Sequence, residues 1–386
     1  MRLHYIIAGA LALAMAIPSQ AEPKKKQQEP EKVNPYQFTE VIRIPVTPVK
    51  DQNATGTCWC FASTSFLEAE LMRMGKGEYD LSELFTVRHN YYERMDDNYL
   101  RRGKGNISEG SIAHMTLNII DKYGIVPQSA YSGINYDSPL PNHRELGTYL
   151  RAIAEGSVKL KARSPEYWEL QDALFDIYMG KLPKTFMYDG KEYTPLTFRD
   201  MLGLNTDDYI EITSFSHHPF YQQVPLEIPD NWDHALLYNL PLDEMMEVID
   251  NALNNGYTVC WDGDVSEKGY VYNPLGVAIL PADATLDRKA IAATDTLIAE
   301  VEYVDQALRQ AGYESFTTTD DHLEHLTGIA TDPAGTKYYI TKNSWGAEGP
   351  YDGYHYMSEK YLRAKTVSIL VHKDAIPAAI RAKLGL

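Results

Sequence analysis

The chain has 386 residues, 44% of them hydrophobic and 23% charged, so it carries enough apolar sequence for one large domain or two ordinary ones. That composition excludes a disordered or fibrous chain. The net charge of −17 repels phosphate backbones and no basic stripe with interleaved aromatics is present, so nucleic acid is not an expected partner.

In chain order, Arg2 gives a short positive region and Ile6 to Ile17 an apolar run. Pro18 breaks the run, and Ser19-Gln20-Ala21 offers small residues to a signal peptidase. Residues 1–21 are therefore expected to be an export signal, leaving a periplasmic or secreted chain. The run is too short for a permanent membrane anchor. Residues 22–40 read as a solvated linker, and 41–386 as the folded part.

A helix is expected from Cys58, where Phe61, Ala62, Ser65, Phe66, Ala69 and Met72 recur at helical steps before Gly75. Others are expected over 111–122, ending at Gly124, and over 242–255, ending at Gly256. Residues 257–261 read as a buried strand, and 286–311 as a further helical pattern. From 325 onward the pattern turns to strands, over 325–331, 337–342, 354–357 and 366–372, with a turn at Asp332-Pro333-Ala334-Gly335. Helices first and strands last give an α+β fold.

There are three cysteines, Cys58, Cys60 and Cys260. An odd, low count does not suit a disulfide scaffold, and none has zinc spacing. Cys60 and Cys260 read as buried free thiols, with a Cys60–Cys260 bridge as the alternative. Cys58 differs because it opens a helix. The helix terminus stabilises a thiolate, and Gly56 lets a substrate approach the backbone. Gln52, on the loop before it, can turn its amide to the same point and form an oxyanion hole with the Cys58 N–H.

The segment Gln52-Asn53-Ala54-Thr55-Gly56-Thr57-Cys58-Trp59-Cys60-Phe61-Ala62 resembles the nucleophile segment of papain-like cysteine peptidases, closest to the bleomycin hydrolase/aminopeptidase C branch. Asn343-Ser344-Trp345-Gly346 resembles the family's asparagine motif. The resemblance implies that Asn343 orients the histidine and Trp345 shields their bond. It assigns the base to His322, preceded by Asp320-Asp321 and followed by Gly328. His325 is the local rival, and His234, in Trp232-Asp233-His234-Ala235, is a more distant one. Leu323 replaces the small residue usual after the histidine.

Papain-type enzymes place His and Asn about 130–150 residues after the Cys. Here the gap is far longer, which agrees with the large, mainly helical insertion of this branch, expected at about 135–315. Leu81-Ser82-Glu83-Leu84, His217-His218-Pro219-Phe220-Tyr221 and Asp262-Gly263-Asp264-Val265 extend the resemblance. Ser108, Glu109 and Gly110 resemble a substrate-binding turn.

What the resemblance implies is thiol-dependent hydrolysis of peptides, with aminopeptidase action and no metal or organic cofactor. In this branch the chain's last residues enter the cleft to hold the substrate's amino group, and subunits form hexameric rings. The tail from Lys373 to Leu386 departs from that pattern and reads as helical, with Ile376, Ile380 and Leu384 in phase. The alternatives are a papain-like endopeptidase, a bleomycin hydrolase-type amide hydrolase, an inactive peptide-binding homologue, or another Cys-His-Asn acyl transferase.

Overall fold

Helix α1 (Cys58–Arg73) starts directly after Thr57 and buries nearly every side chain to Leu71. It is the central helix of a computed structural model that describes residues 33–386, of which 34–386 form one compact unit. The expected export signal and most of the linker lie outside the described residues.

On α1 pack α2 (Glu83–Leu100) and α3 (His114–Tyr123), and α4 (Arg144–Leu160) and α5 (Pro165–Met179) pack on α2. Ser82 caps α2 by accepting from Phe85 N–H at 3.2 Å. Helix α3 begins three residues later than expected, because Ser111 to Ala113 stay outside the helix.

The other half is an eleven-stranded mixed sheet. Its strands are β1 (Thr39–Arg43), β4 (Tyr209–Thr213), β5 (Gln223–Pro225), β6 (Leu236–Asn239), β7 (Val259–Gly263), β8 (Tyr270–Val271), β9 (Val277–Ala278), β10 (His322–Thr331), β11 (Lys337–Lys342), β12 (Tyr354–Ser358) and β13 (Thr366–His372). The order is β5-β6-β4-β13-β7-β10-β11-β12-β9-β8, and β1 pairs with β10. A separate hairpin joins β2 (Phe186–Tyr188) to β3 (Lys191–Tyr193). Strand β10 begins at His322, earlier than the 325 expected, because residues 322–326 pair with β7 before the pairing to β11 is complete.

Alternation along the strands sorts side chains between two layers. Cys260, Leu323 and Leu370 join the α1 core. Trp261, Ile369 and Val371 face the other way, onto α7 (Leu242–Asn254) and the last helix, Ala378–Leu384. The span 135–315, expected to be mainly helical, carries α4, α5, α6 (Pro195–Leu202) and α7, and also the strands from β2 to β9.

The helical pattern over 286–311 is a correction. It forms two short helices, Arg288–Ala292 and Gln306–Glu314. Thr294 Oγ1 donates to Thr296 O at 2.8 Å and turns the chain, and Asp305 starts the second helix by accepting from Leu308 N–H. Among the described residues no helix is long and apolar enough to cross a membrane.

The two halves are tied by buried polar groups. Lys50 Nζ reaches Glu83 at 2.7 Å and Glu68 at 3.2 Å. Lys342 Nζ donates to Ser65 Oγ at 2.7 Å, and Ser65 meets His325 Nδ1 at 2.9 Å.

Candidate active site

Cys58 is the first residue of α1 and is 9% exposed. The N–H groups of Cys60 and Phe61 turn back to Thr57 O at 2.9 and 3.2 Å, while the first-turn N–H of Cys58 stays unclaimed by the helix. The N–H of Leu323, the residue after His322, bonds the Cys58 thiol, so the start of β10 meets the start of α1. Burial pushes the thiol up to about 12, against that N–H, and the charges of Asp320, Asp230 and Asp262 add to the rise.

His322 Nε2 donates to Asn343 Oδ1 at 2.9 Å. Ser344 N–H donates to the same oxygen at 2.7 Å, and Asn343 Nδ2 donates to Tyr270 OH at 3.2 Å. The amide is thereby oriented by its network, with Oδ1 toward the imidazole. His322 must then carry its hydrogen on Nε2, which leaves Nδ1 as the proton acceptor. Trp345 stacks on the imidazole, centroids 4.8 Å apart at 27°, and covers it.

Gln52 is buried on the loop before α1. Its backbone N–H donates to Ser344 O at 2.8 Å, and its Oε1 accepts from Ser344 Oγ at 2.6 Å. One Nε2 hydrogen goes to Thr55 O at 2.8 Å, which leaves the second for another acceptor. The turn at Ser108, Glu109 and Gly110 borders the same helix start. Glu109 Oε2 accepts from Gly56 N–H at 2.7 Å, and Glu109 O accepts from Trp59 Nε1 at 2.9 Å. Arg94 Nη1 fixes Ser108 Oγ at 2.8 Å. A Cβ on Gly110 would come within 1.9 Å of Asp230 Oδ2, so any larger residue there would have to displace the Asp230 carboxylate.

The structure thus brings Gln52, Cys58, the 108–110 turn, His322, Asn343 and Trp345 to one place. His325 is buried in the sheet against Ser65, and His234 is exposed on a turn at φ +59°. All three cysteines are free, so the Cys60–Cys260 bridge is absent. Cys60 Sγ donates instead to Glu83 O at 3.3 Å.

Sequence reasoning missed Glu324 and its partners. Glu324 lies two residues after His322 and so shares its strand face. Its Oε1 accepts from Tyr270 OH at 2.9 Å, stands 2.9 Å from His355 Nε2 and 3.8 Å from His322 Nε2. Burial alone would push Glu324 up, but His355, His322 and Tyr270 together hold it below the usual range. Burial pulls His322 down, and Glu324 opposes that pull. A lone acid in an otherwise buried strand was the available signal.

Among the described residues one group of side chains has metal-like spacing, His217, His218 and Glu227, with ligand atoms within 4.8 Å. Gln310 Oε1 accepts from Ser216 N–H at 2.7 Å, which turns Nε2 onto His217 Nδ1 at 3.0 Å. His217 then carries hydrogen on Nε2, toward Glu227. That arrangement makes a hydrogen-bond knot rather than a ligand set.

Comparison with known proteins places this geometry. The family model described as Peptidase C1-like matches residues 104–385, and the one described as papain family cysteine protease matches 33–159. Aminopeptidase C of Lactobacillus helveticus is 24% identical, covering 88% of this chain and 82% of that protein. The mitochondrial cysteine proteinase 1 of Saccharomyces cerevisiae is 21% identical, covering 90% and 79%. The crystal structure of PepW from Lactobacillus rhamnosis HN001 superposes with a TM-score of 0.67 at 20% identity, covering 90% of this chain and 84% of that one, so the fold is papain-like. With its model matched over most of the sequence, the chain belongs to the Peptidase C1-like family.

Proposed function

We propose that this chain is a thiol-dependent aminopeptidase that removes residues from the free amino end of peptides. Cys58 is the nucleophile, His322 the base, Asn343 the residue that orients it, and Gln52 with the Cys58 N–H the oxyanion hole. The observation that carries this reading is the His322–Asn343 bond, with Asn343 Oδ1 pinned by Ser344 N–H. The aminopeptidases C among its relatives support the exopeptidase assignment.

In this reading His322 Nδ1 takes the thiol proton and Cys58 Sγ attacks the carbonyl carbon. The oxygen gains its charge between Gln52 Nε2 and the Cys58 N–H. His322 passes the proton to the leaving amine as the C–N bond breaks. It then deprotonates the water that opens the thioester, and the thiol is restored.

A papain-like endopeptidase is the second reading. It is favoured by the last helix, which packs beside α7, on the sheet face that α1 does not cover. Free-amino and N-acetylated peptides, with and without a thiol-alkylating reagent, separate the two beside Cys58→Ala. Loss of all cleavage in Cys58→Ala and a preference for free amines are expected. Cleavage surviving in that variant would sink the mechanism, and equal cleavage of blocked peptides would sink the aminopeptidase assignment.

Residues 1–21 we read as a removable export signal. N-terminal sequencing of the exported protein should start near Glu22; a start at Met1 would remove that proposal.

A further inference from the structure

The tail does not meet a substrate's amino end in this structure. Ile380 and Leu384 sit in the core shared with α7, and Lys383 Nζ pairs with Glu244 at 2.7 Å. Helix α1 lies on the opposite face of the sheet.

Carboxylates gather beside Cys58 instead. Asp320 stands just before His322. Asp262 is the cross-strand partner of Leu323, whose N–H reaches the Cys58 thiol. Asp230 presses on Gly110 from the substrate-binding turn. Ser368 Oγ links Asp262 Oδ2, at 3.2 Å, to Glu211 Oε1, at 3.1 Å. Two cations answer this group within ion-pair distance. His114 holds Glu211 at 2.8 Å and Asp233 at 3.0 Å, and Arg94 stands 3.9 Å from Asp230. Among the described residues no cation lies that close to Asp262 or Asp320.

Asp262 is 1% exposed, yet outside the hydrogen bond the two acids share, neither its Oδ1 nor Asp320 Oδ2 has a donor. The two carboxyls face each other, and burial pushes both up; the charge of Asp320 adds to the rise of Asp262 and that of Asp230 to the rise of Asp320, so the pair shares a proton. A buried carboxyl pair with one shared proton and no other donor is costly. A group with positive charge and several N–H donors relieves both deficits at once.

We infer that Asp320 and Asp262, faced by Asp230 across the turn, form a subsite for an ammonium group of the peptide on the acyl side of the scissile bond. The inference rests on the peptidase reading of Cys58 given above. Two parts of a peptide carry that chemistry, the free α-amine and a lysine side chain. Either would neutralise the carboxylates whose charge adds to the burial that holds the Cys58 thiol protonated, so substrate binding and formation of the thiolate become linked.

Binding to Cys58→Ala protein, followed by calorimetry, tests this without turnover. The probes are alanyl-alanine amide against its N-acetyl form, and N-acetyl-lysyl-alanine amide against its norleucine counterpart. The charged member of at least one pair is expected to bind tenfold tighter or more, and Asp320→Asn is expected to erase that gap. The first pair assigns the subsite to the α-amine and the second to the side chain. Equal binding within both pairs, or no binding of either charged probe, overturns the inference. So does a gap that survives in both Asp320→Asn and Asp262→Asn. Asp230→Asn, on the facing wall, provides the reading if a sheet variant fails to fold. Cleavage retained by Cys58→Ala would remove the peptidase mechanism and leave the binding result standing on its own.

Discussion

Glu324 sets a carboxylate 3.8 Å from His322 Nε2, in a site that Trp345 and Tyr270 shield from water. The imidazolium formed when His322 takes the thiol proton is stabilised by that charge. Glu324→Gln removes it, so the His322 pKa falls and less Cys58 is paired as thiolate at neutral pH. Alkylation of Cys58 by iodoacetamide should slow roughly tenfold at pH 7, and the upper limb of the pH–rate profile should move down. An unchanged limb would mean that Glu324 serves His355 alone. Cys58, Gln52 and Asn343 were legible in the sequence because each sits in a short local motif whose chemistry is visible residue by residue. Glu324 and His355 were not, because their meaning depends on a strand pairing that brings distant residues together.

Among the elements, α3 is docked by a charge. His114, its first residue, lies between Glu211 of β4 and Asp233. Burial works against the charged form, but the hydrogen bonds to Asp233 and Glu211 outweigh it and hold His114 at about 10. A raised histidine pKa stabilises the fold fully below the unfolded value of about 6.5, and that contribution is lost as pH rises toward 10. His114→Ala should therefore cost about 3 kcal/mol at pH 6, because it strands the buried Glu211 and the half-buried Asp233. The difference from the parent should narrow in urea melts taken as pH approaches 10. A constant difference across that range would show that packing, not charge, docks the helix.

The same scale explains which elements the sequence revealed. Helix α7 was readable because its apolar stripe is clean and Gly256 ends it. Helix α2 was hidden because Arg88, Asn90, Arg94 and Asn98 are buried in it, which erases the apolar period. The pattern over 286–311 failed for the opposite reason. Its Ala-rich composition favours helix locally, but the turn at Thr294 and the cap at Asp305 break the chain where tertiary pairing needs it extended.

At the scale of the whole molecule, the sheet separates two jobs. One face carries α1, the thiol and the acidic group; the other carries α7 and the last helix. Resemblance to the family places the tail in the cleft, whereas here its apolar residues are spent on packing. Ile380, 2% exposed, packs in the same core as Met245, Met246 and Ile249. Ile380→Ala leaves a cavity in that layer and should cost about 2–4 kcal/mol in urea unfolding. Because the sheet stands between that layer and Cys58, KM for free-amino peptides should stay within twofold of the parent under conditions where the variant is folded. A stability loss with unchanged KM marks the tail as structural. A large rise in KM with little loss of stability would put the tail back in the cleft, and the amine-binding role would then pass from Asp320 and Asp262 to the chain's last residues.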